Sequence, residues 1–160
     1  MRRLKKSIWF VVTDSARAQF YMLNEKADGL LHIQNEDLAG AEARLPAREL
    51  KSDKPGRSFA STGGGARSTI EPHHDYHKME KHKFIVAVAD ALHKAAAAGK
   101  FDELVLVAPS RSLGELRAAL SHQVQARVAA ELGKDLTKHP AEELWEHLHP
   151  IAEKLAYALQ

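Results

Sequence analysis

The sequence has no cysteine and no long hydrophobic run, and both absences restrict what the protein can be. Without cysteine there is no disulfide, no thiolate metal ligand and no cysteine nucleophile. The basic N-terminus is followed by an apolar run that covers only Ile8 to Val12. A signal peptide needs roughly 7–15 apolar residues and a membrane span about 20. We therefore expect neither, and we predict a cytoplasmic protein.

Neither sign of charge dominates the chain. Its 160 residues include 23 Lys and Arg against 21 Asp and Glu, a formal net charge of +2. That excess is too small to indicate a nucleic-acid partner by itself. With 44% hydrophobic residues, a chain of this length can bury a substantial core. We predict a single domain over residues 1–160.

One stretch without periodic hydrophobicity, Lys51 to His82, separates two well-patterned halves. It reads KSDKPGRSFASTGGGARSTIEPHHDYHKMEKH and contains three consecutive glycines. Loops of this length are uncommon inside compact domains, and they are usually functional or disordered. We therefore predict a long mobile loop at about residues 51–76 and expect most of the function to lie there.

The hydrophobic pattern around this loop predicts five strands and three helices. Asp28-Gly29 predicts a type I′ hairpin turn, Gly99 a helix C-terminus, and Ser110 or Ser112 a helix cap. The predicted strands are Ile8–Val12, Arg17–Leu23, Leu30–Glu36, Glu103–Ala108 and Gln125–Leu132. The predicted helices are His77–Ala98, one that follows Pro109, and one from Pro140 that Pro150 kinks or splits.

The resulting order is βββ–loop–αβαβα. A strand–turn–helix unit after residue 103 is typical of a parallel crossover. Residues 124–132 alternate as a strand does but also match a helical period, and we favour the strand. We predict an α/β fold with a mixed five-stranded sheet and flanking helices. Three antiparallel strands extended by two parallel ones give a ribonuclease-H-like topology.

The predicted loop contains the candidate binding residues. Its glycines can adopt left-handed backbone angles and allow another backbone to approach closely, and its cations can neutralise phosphates. The alternative is a flexible linker whose charges serve solubility. The candidate RNA- or phosphate-binding residues are Lys54, Arg57, Gly63, Gly64, Gly65 and Arg67.

Histidines and one aspartate are weaker candidates for a metal site. His73, His74 and His77 lie close in sequence, and imidazole suits zinc and similar ions. The alternative is a polar helix entrance that gains charge below pH about 6.5. Asp14 follows the first strand and could help to hold Mg²⁺, but such catalysis needs two or three converging carboxylates. A turn-forming role for Asp14 is the simpler interpretation, and we assign no catalytic residue.

Four segments resemble the bacterial family of host attachment proteins, the proteins required for attachment to host cells. They are FVVTDSARAQFY (Phe10 to Tyr21), ELKSDKPGRSF (Glu49 to Phe59), ELVLVAPSRSLGELRAAL (Glu103 to Leu120) and ELGKDLTKHPAEELWEHL (Glu131 to Leu148). That family is in turn similar to the middle domain of archaeal and eukaryotic peptide-chain release factors. In those factors the loop before the first long helix carries Gly-Gly-Gln, which promotes peptidyl-tRNA hydrolysis on the ribosome.

The sequence departs from that motif, since Gly65 is followed by Ala66 and Arg67 and no glutamine stands there. The resemblance therefore implies a non-enzymatic RNA- or ribosome-binding factor that presents a glycine-rich basic loop. Two alternatives stay open: an attachment factor acting at the cell surface, and a metal-dependent hydrolase. We expect no cofactor and no membrane insertion, and the sequence leaves the oligomeric state open.

Overall fold

The chain folds around one mixed β-sheet with helices on both faces. The computed structural model describes residues 6–41 and 63–158, with side chains described for 6–41 and 75–156. Its strands are β1 (Ile8–Thr13), β2 (Arg17–Leu23), β3 (Leu30–His32), β4 (Leu38–Ala39), β5 (Glu103–Val107) and β6 (Val128–Leu132). Its helices are α1 (Gly63–Ala97), α2 (Ser110–Ala119), α3 (His122–Gln125) and α4 (Ala141–Ala158).

The first strand lies at the centre of the sheet. The strand order is β3-β2-β1-β5-β6, with β4 paired to β2. β1 is antiparallel to β2 and parallel to β5, and β6 is parallel to β5. Phe10 stands opposite Tyr21 on one side and opposite Val105 on the other. The predicted α/β class with a mixed sheet and flanking helices is confirmed, with six strands in place of five.

Every residue of β1 is buried because helices cover both faces of the sheet. On one face Trp9 and Val11 join a core with residues of α1, α2 and α3. On the other face Ile8, Phe10 and Val12 join a core with residues of α4. Alternate residues of a strand point to opposite faces, so a strand covered on both sides is apolar throughout. Burying each large side chain contributes about 1.5–3 kcal/mol relative to leaving it exposed.

The turn between β2 and β3 differs from the predicted type I′ hairpin. The left-handed residue is Ala27, at φ 58°, and neither Asp28 nor Gly29 has a positive φ. The side chain of Asn24 shapes the loop. Its Oδ1 accepts the Asp28 N–H at 3.0 Å, and its Nδ2 donates to Asp28 Oδ1 at 2.8 Å. This amide closes a longer loop, so Asp28-Gly29 is not a two-residue turn.

The third strand is shorter than predicted. β3 ends at His32, and a 3₁₀ turn over Gln34–Glu36 separates it from β4. The Asp37 carboxylate accounts for the break, because its Oδ1 accepts the backbone N–H of Phe20 at 3.0 Å. A continuing strand would satisfy that N–H with a carbonyl. Asp37 Oδ2 also lies 2.7 Å from His32 Nε2, so one side chain ends β3 and fixes the start of β4.

The first long helix begins at Gly63 and not at the predicted His77. The predicted loop at about 51–76 is therefore helical from Gly63 onward, while residues 51–62 lie outside the described residues. Hydrophobic periodicity missed the start because it detects a helix only where one face is buried. Among the α1 side chains that the structure describes, from Asp75 onward, the first buried one is Phe84, whereas Tyr76 and Met79 are 52% and 56% exposed.

The predicted end of α1 is confirmed. Gly99 has a φ of +69°, the left-handed angle that favours glycine after a helix. The N–H of Gly99 donates to Ala96 O, and the N–H of Lys100 donates to Ala95 O. These two bonds are the Schellman pattern, and they satisfy carbonyls that the helix leaves free.

Two boundaries in the second half also differ from prediction. The N-cap of α2 is Pro109, and no side chain makes a capping bond there, so neither Ser110 nor Ser112 is the cap. The predicted strand from Gln125 begins instead at Val128, because the short helix α3 occupies the preceding residues. The choice of a strand over a helix for the rest of that segment is confirmed.

The last helix crosses its proline without a break. α4 runs from Ala141 to Ala158 with Pro150 inside it, so of the two predicted effects, a kink or a split, the split is wrong. Pro150 is exposed, and water can therefore replace the hydrogen bond that its missing N–H would have made. Within the described ranges, no helix is both long and apolar enough to cross a membrane.

Candidate anion-binding groove

Three parallel strands end at one edge of the sheet and bring distant residues together. β1, β5 and β6 run in the same direction. The residues that follow them therefore meet at the carboxyl edge, where open α/β sheets commonly bind ligands. These residues include Asp14 and Ser15 after β1, Arg111 and Ser112 after β5, and Asp135 after β6.

α1 extends well beyond this edge. Just past its C-terminal end, the carbonyl of Lys100 accepts the Ser7 hydroxyl at 3.0 Å beside the start of β1. Further up the helix, Phe84 lies beside Gly40 and Ala16 at the opposite edge. The 35 residues of α1 span about 52 Å at 1.5 Å per residue, against about 20 Å for a six-residue strand. The helix before Phe84 therefore overhangs the strand ends.

The inner face of α1 changes from apolar to basic where it passes the edge. Ile85 and Val88 are 1% and 0% exposed in the core. Lys78 and Lys81 stand two helical turns before them, so they project from the same side of the helix. Both lysines are exposed. The helix thus holds two cations over the ends of the strands.

A groove of about 1000 Å³ lies between this overhang and the strand ends. Its charged lining comprises the cations Lys78, Lys81, Lys83 and Arg111 and the carboxylates Asp14, Glu115 and Asp135. Lys83 lies 3.6 Å from Glu80 on its own helix. Within the described part of the chain, Lys78, Lys81 and Arg111 have no ion-pair partner. Three cations on two helices are therefore available to an anion.

One buried threonine links two of the carboxylates. Thr137, 6% exposed, has its Oγ1 3.1 Å from Asp14 Oδ2 and 2.8 Å from Asp135 Oδ1. Asp14 Oδ1 accepts the backbone N–H groups of Ala16 and Arg17 at 2.7 Å each, the geometry of a turn-forming aspartate. A hydroxyl has one proton to donate, so the threonine satisfies one carboxylate at a time.

An ion pair fixes the helix that carries Arg111. Arg117 Nε on α2 donates to Glu131 Oε2 on β6 at 2.8 Å. This hydrogen bond is the main reason that the pKa of Glu131 lies below its usual value. The same bond raises the pKa of Arg117. The pair is exposed, but it is bidentate, since both oxygens of Glu131 accept hydrogen bonds from the Arg117 guanidinium. This geometry sets the orientation of α2 against the sheet.

The amino-acid sequence over residues 9–148 matches the family model described as "Protein required for attachment to host cells". The chain belongs to this family. The match extends from β1 into α4, so every residue that lines the groove lies inside it. The host attachment family protein therefore builds its groove entirely from the part of the chain that defines the family.

Comparison with solved structures finds an archaeal translation termination factor, aRF1, at a TM-score of 0.40 and 12% sequence identity. The alignment covers 96% of the host attachment family chain and 41% of the termination factor chain. A likeness at that TM-score carries no functional argument. Comparison with curated proteins gives no significant match.

Four of the predicted binding residues lie in a helix and not in the predicted loop. Lys54 and Arg57 lie outside the described residues. Gly63, Gly64 and Gly65 form the first turn of α1, and Arg67 follows in its second turn. They belong to a helix and not to an extended loop. Glycine inside a helix costs about 1 kcal/mol relative to alanine, so these three residues favour the helix less than alanine would.

The structure describes the side chain of only one of the three histidine candidates for a metal site. His73 and His74 belong to α1, with side chains outside the described set, and His77 is partly buried on the same helix. Among the side chains that the structure describes, no group of three or more histidines and carboxylates is placed to hold one ion. The structure brings one other carboxylate, Asp135, close to Asp14 through their shared contact with Thr137. The sequence analysis did not single out Asp135.

Sequence reasoning missed most of the groove. Arg111, Glu115 and Asp135 were not candidates because they are far apart in the chain and lie outside the predicted loop. The usable signal for Arg111 and Asp135 was their position a few residues after the ends of two predicted strands, whereas Glu115, in the middle of α2, had none. The sequence shows that Lys78 and Lys81 are charged, but it does not show that they face the groove, because that depends on how far α1 extends past the strand ends.

Proposed function

We propose that this host attachment family protein is a non-enzymatic cytoplasmic factor that binds RNA and acts at the ribosome. The observation that supports this most strongly is the convergence of Lys78, Lys81 and Arg111, without ion-pair partners in the described residues, on one groove. Lysine and arginine contacts to phosphate supply most of the sequence-independent affinity for nucleic acids. The glutamine that release-factor chemistry requires is absent after Gly65, which favours binding over catalysis.

The cations that support this proposal lie on the scaffold and not at a loop tip. Helices hold side chains more accurately than loops do, and the Arg117–Glu131 pair holds the helix that carries Arg111 against the sheet. Lys54 and Arg57 precede α1 in the chain and stay candidates for additional phosphate contacts. The proposed interface is therefore the groove, with residues 78–83 of α1 as one wall.

We also propose a ribonuclease-H-like fold of the release-factor middle-domain type. With the two-residue β4 left aside, five strands lie across the sheet in the order β3-β2-β1-β5-β6. The first three are antiparallel and the last two extend the sheet in parallel. This arrangement agrees with the order of elements on which the resemblance is based.

Co-sedimentation with ribosomes over a salt series tests the binding proposal. Three phosphate contacts to single-stranded RNA give a slope of log K against log salt of about −2. The variant Lys78→Ala/Lys81→Ala/Arg111→Ala should lose that slope and most of the binding. A matched control, Lys26→Ala/Lys94→Ala/Lys154→Ala, removes the same charge from exposed positions outside the groove lining. Equal binding by both variants, or no binding at low salt, would refute the proposal.

The family description supports a second candidate, a direct role in attachment to host cells. Cell fractionation separates the two, because a direct attachment factor must reach the cell surface. Recovery of the protein with the surface fraction, and failure of the groove variant to alter attachment, would favour that candidate over RNA binding.

A further inference from the structure

The positive and negative side chains that line the groove come largely from different helices and strand ends. This separation of charge indicates which form of RNA fits the groove. The inference rests on the proposed function. α1 contributes Lys78, Lys81 and other basic side chains but no carboxylate. The segments after β1 and β6 contribute Asp14 and Asp135 but no cation. The groove therefore has one basic wall and one acidic wall, with α2 contributing charges of both signs.

A duplex and a single strand meet such walls differently. A duplex carries a phosphate backbone on both of its sides, so one backbone would lie against the carboxylates and be repelled. A single strand carries phosphates along one side and can turn its bases and sugars to the other. Only the single strand can place all its charge against α1 and Arg111.

The acidic wall has acceptor atoms to offer. Thr137 has one proton for two carboxylates, which leaves one of Asp14 and Asp135 without it. Asp135 is exposed, and only its Oδ1 has a hydrogen-bond partner in the described residues. Carboxylate oxygens accept hydrogen bonds from base amino groups and from the ribose 2′-hydroxyl. The base amino groups are paired inside a duplex, whereas a single strand leaves them free.

The basic wall also offers an apolar surface. Met79 lines the groove between Lys78 and Lys81 and is 56% exposed. Methionine is flexible and polarisable, and its sulfur contacts aromatic rings favourably. Unpaired bases present ring faces that such a side chain can cover, whereas a duplex keeps its bases stacked on one another.

We propose that the groove binds single-stranded RNA in one orientation across its width. The phosphates lie against Lys78, Lys81 and Arg111, and the base amino groups and ribose hydroxyls face Asp14 and Asp135. The carboxylates therefore add to binding of a single strand and oppose binding of a duplex. Asp135→Asn separates the two effects, because asparagine keeps an acceptor for Thr137 but removes the charge and replaces one acceptor oxygen with an N–H donor.

Fluorescence anisotropy with a short labelled RNA, alone and annealed to its complement, tests the proposal at low salt. The single strand should bind at least about tenfold more tightly than the duplex, the order expected for a charge-assisted hydrogen bond. Asp135→Asn should weaken single-strand binding by about tenfold without weakening duplex binding. Glu146→Gln, an exposed carboxylate on α4, is the matched control and should change neither.

Each other result has a definite meaning. Equal or tighter binding of the duplex overturns the single-strand assignment. Unchanged or strengthened single-strand binding by Asp135→Asn overturns the role of the carboxylates. In both cases the proposed function survives if Lys78→Ala/Lys81→Ala/Arg111→Ala still abolishes binding. If neither RNA binds the wild-type protein, the proposed function itself fails.

Discussion

Gly40 and Phe84 meet at the point where α1 leaves the sheet, and this contact allows a sharp test of the packing. A Cβ added at Gly40 would lie 3.1 Å from Phe84 Cδ1, closer than carbon atoms normally approach. The ring of Phe84 is 6% exposed within the core, so it has little room to move. Overpacking of this kind typically costs 1–3 kcal/mol.

The backbone of Gly40 does not oppose alanine, because its φ is not positive. Replacing glycine by alanine at such a site stabilises by about 0.4–1 kcal/mol through the unfolded chain. The net effect of Gly40→Ala should therefore be a loss of about 1 kcal/mol. Phe84→Ala alone should cost about 3–5 kcal/mol. In that background the contact is gone, so Gly40→Ala should become neutral or stabilising.

Urea unfolding of the wild type, both single variants and the double variant gives the coupling energy directly. We expect about 1–2 kcal/mol, within the usual range for residues in contact. Equal destabilisation by Gly40→Ala in both backgrounds would refute the reasoning, since the ring would then not be the obstacle. If Gly40→Ala destabilises the otherwise wild-type protein by less than the experimental error, the ring of Phe84 adjusts freely.

Three further predictions concern the sheet and the end of α1. Burial, followed by the charge of Asp37, raises the pKa of Tyr21. The folded state thus favours the neutral phenol, so stability is retained below pH about 10 and falls as the pH rises through the raised pKa. Tyr21→Phe should reduce that fall in urea unfolding at alkaline pH. Gly99→Ala should cost about 1 kcal/mol at the left-handed position, and an unchanged melting temperature would contradict this. Asp37→Ala should cost about 1–3 kcal/mol and accelerate hydrogen exchange at the Phe20 amide, whereas retained protection would mean that another acceptor replaces the carboxylate.

The sequence predicts the elements whose signal comes from burial or from local backbone chemistry. The apolar run from Ile8 to Val12 identifies the central strand because both of its faces are covered. Gly99 identifies the end of α1 because only glycine accepts that backbone angle without strain. The alternation up to Leu132 identifies β6, although α3 takes the first residues of the predicted strand.

The sequence does not predict features that depend on exposure or on distant partners. The sequence that follows the start of α1 at Gly63 has no apolar stripe, so hydrophobic periodicity gives no signal for a helix there. The end of β3 depends on a single carboxylate, Asp37, reaching across to Phe20. The groove needs the ends of three strands and one helix, so Arg111 and Asp135 gain meaning only when the sheet order is known.

The central position of β1 has a consequence for how the protein is made. The ribosome synthesises Ile8–Thr13 well before its parallel neighbour Glu103–Val107, which emerges only after all of α1 has been translated. Contacts this distant in sequence form slowly. In the nascent chain, one apolar face of β1 therefore stays without the helix that packs on it until α4 has left the ribosome. During that interval β1 offers an exposed apolar binding site to a chaperone.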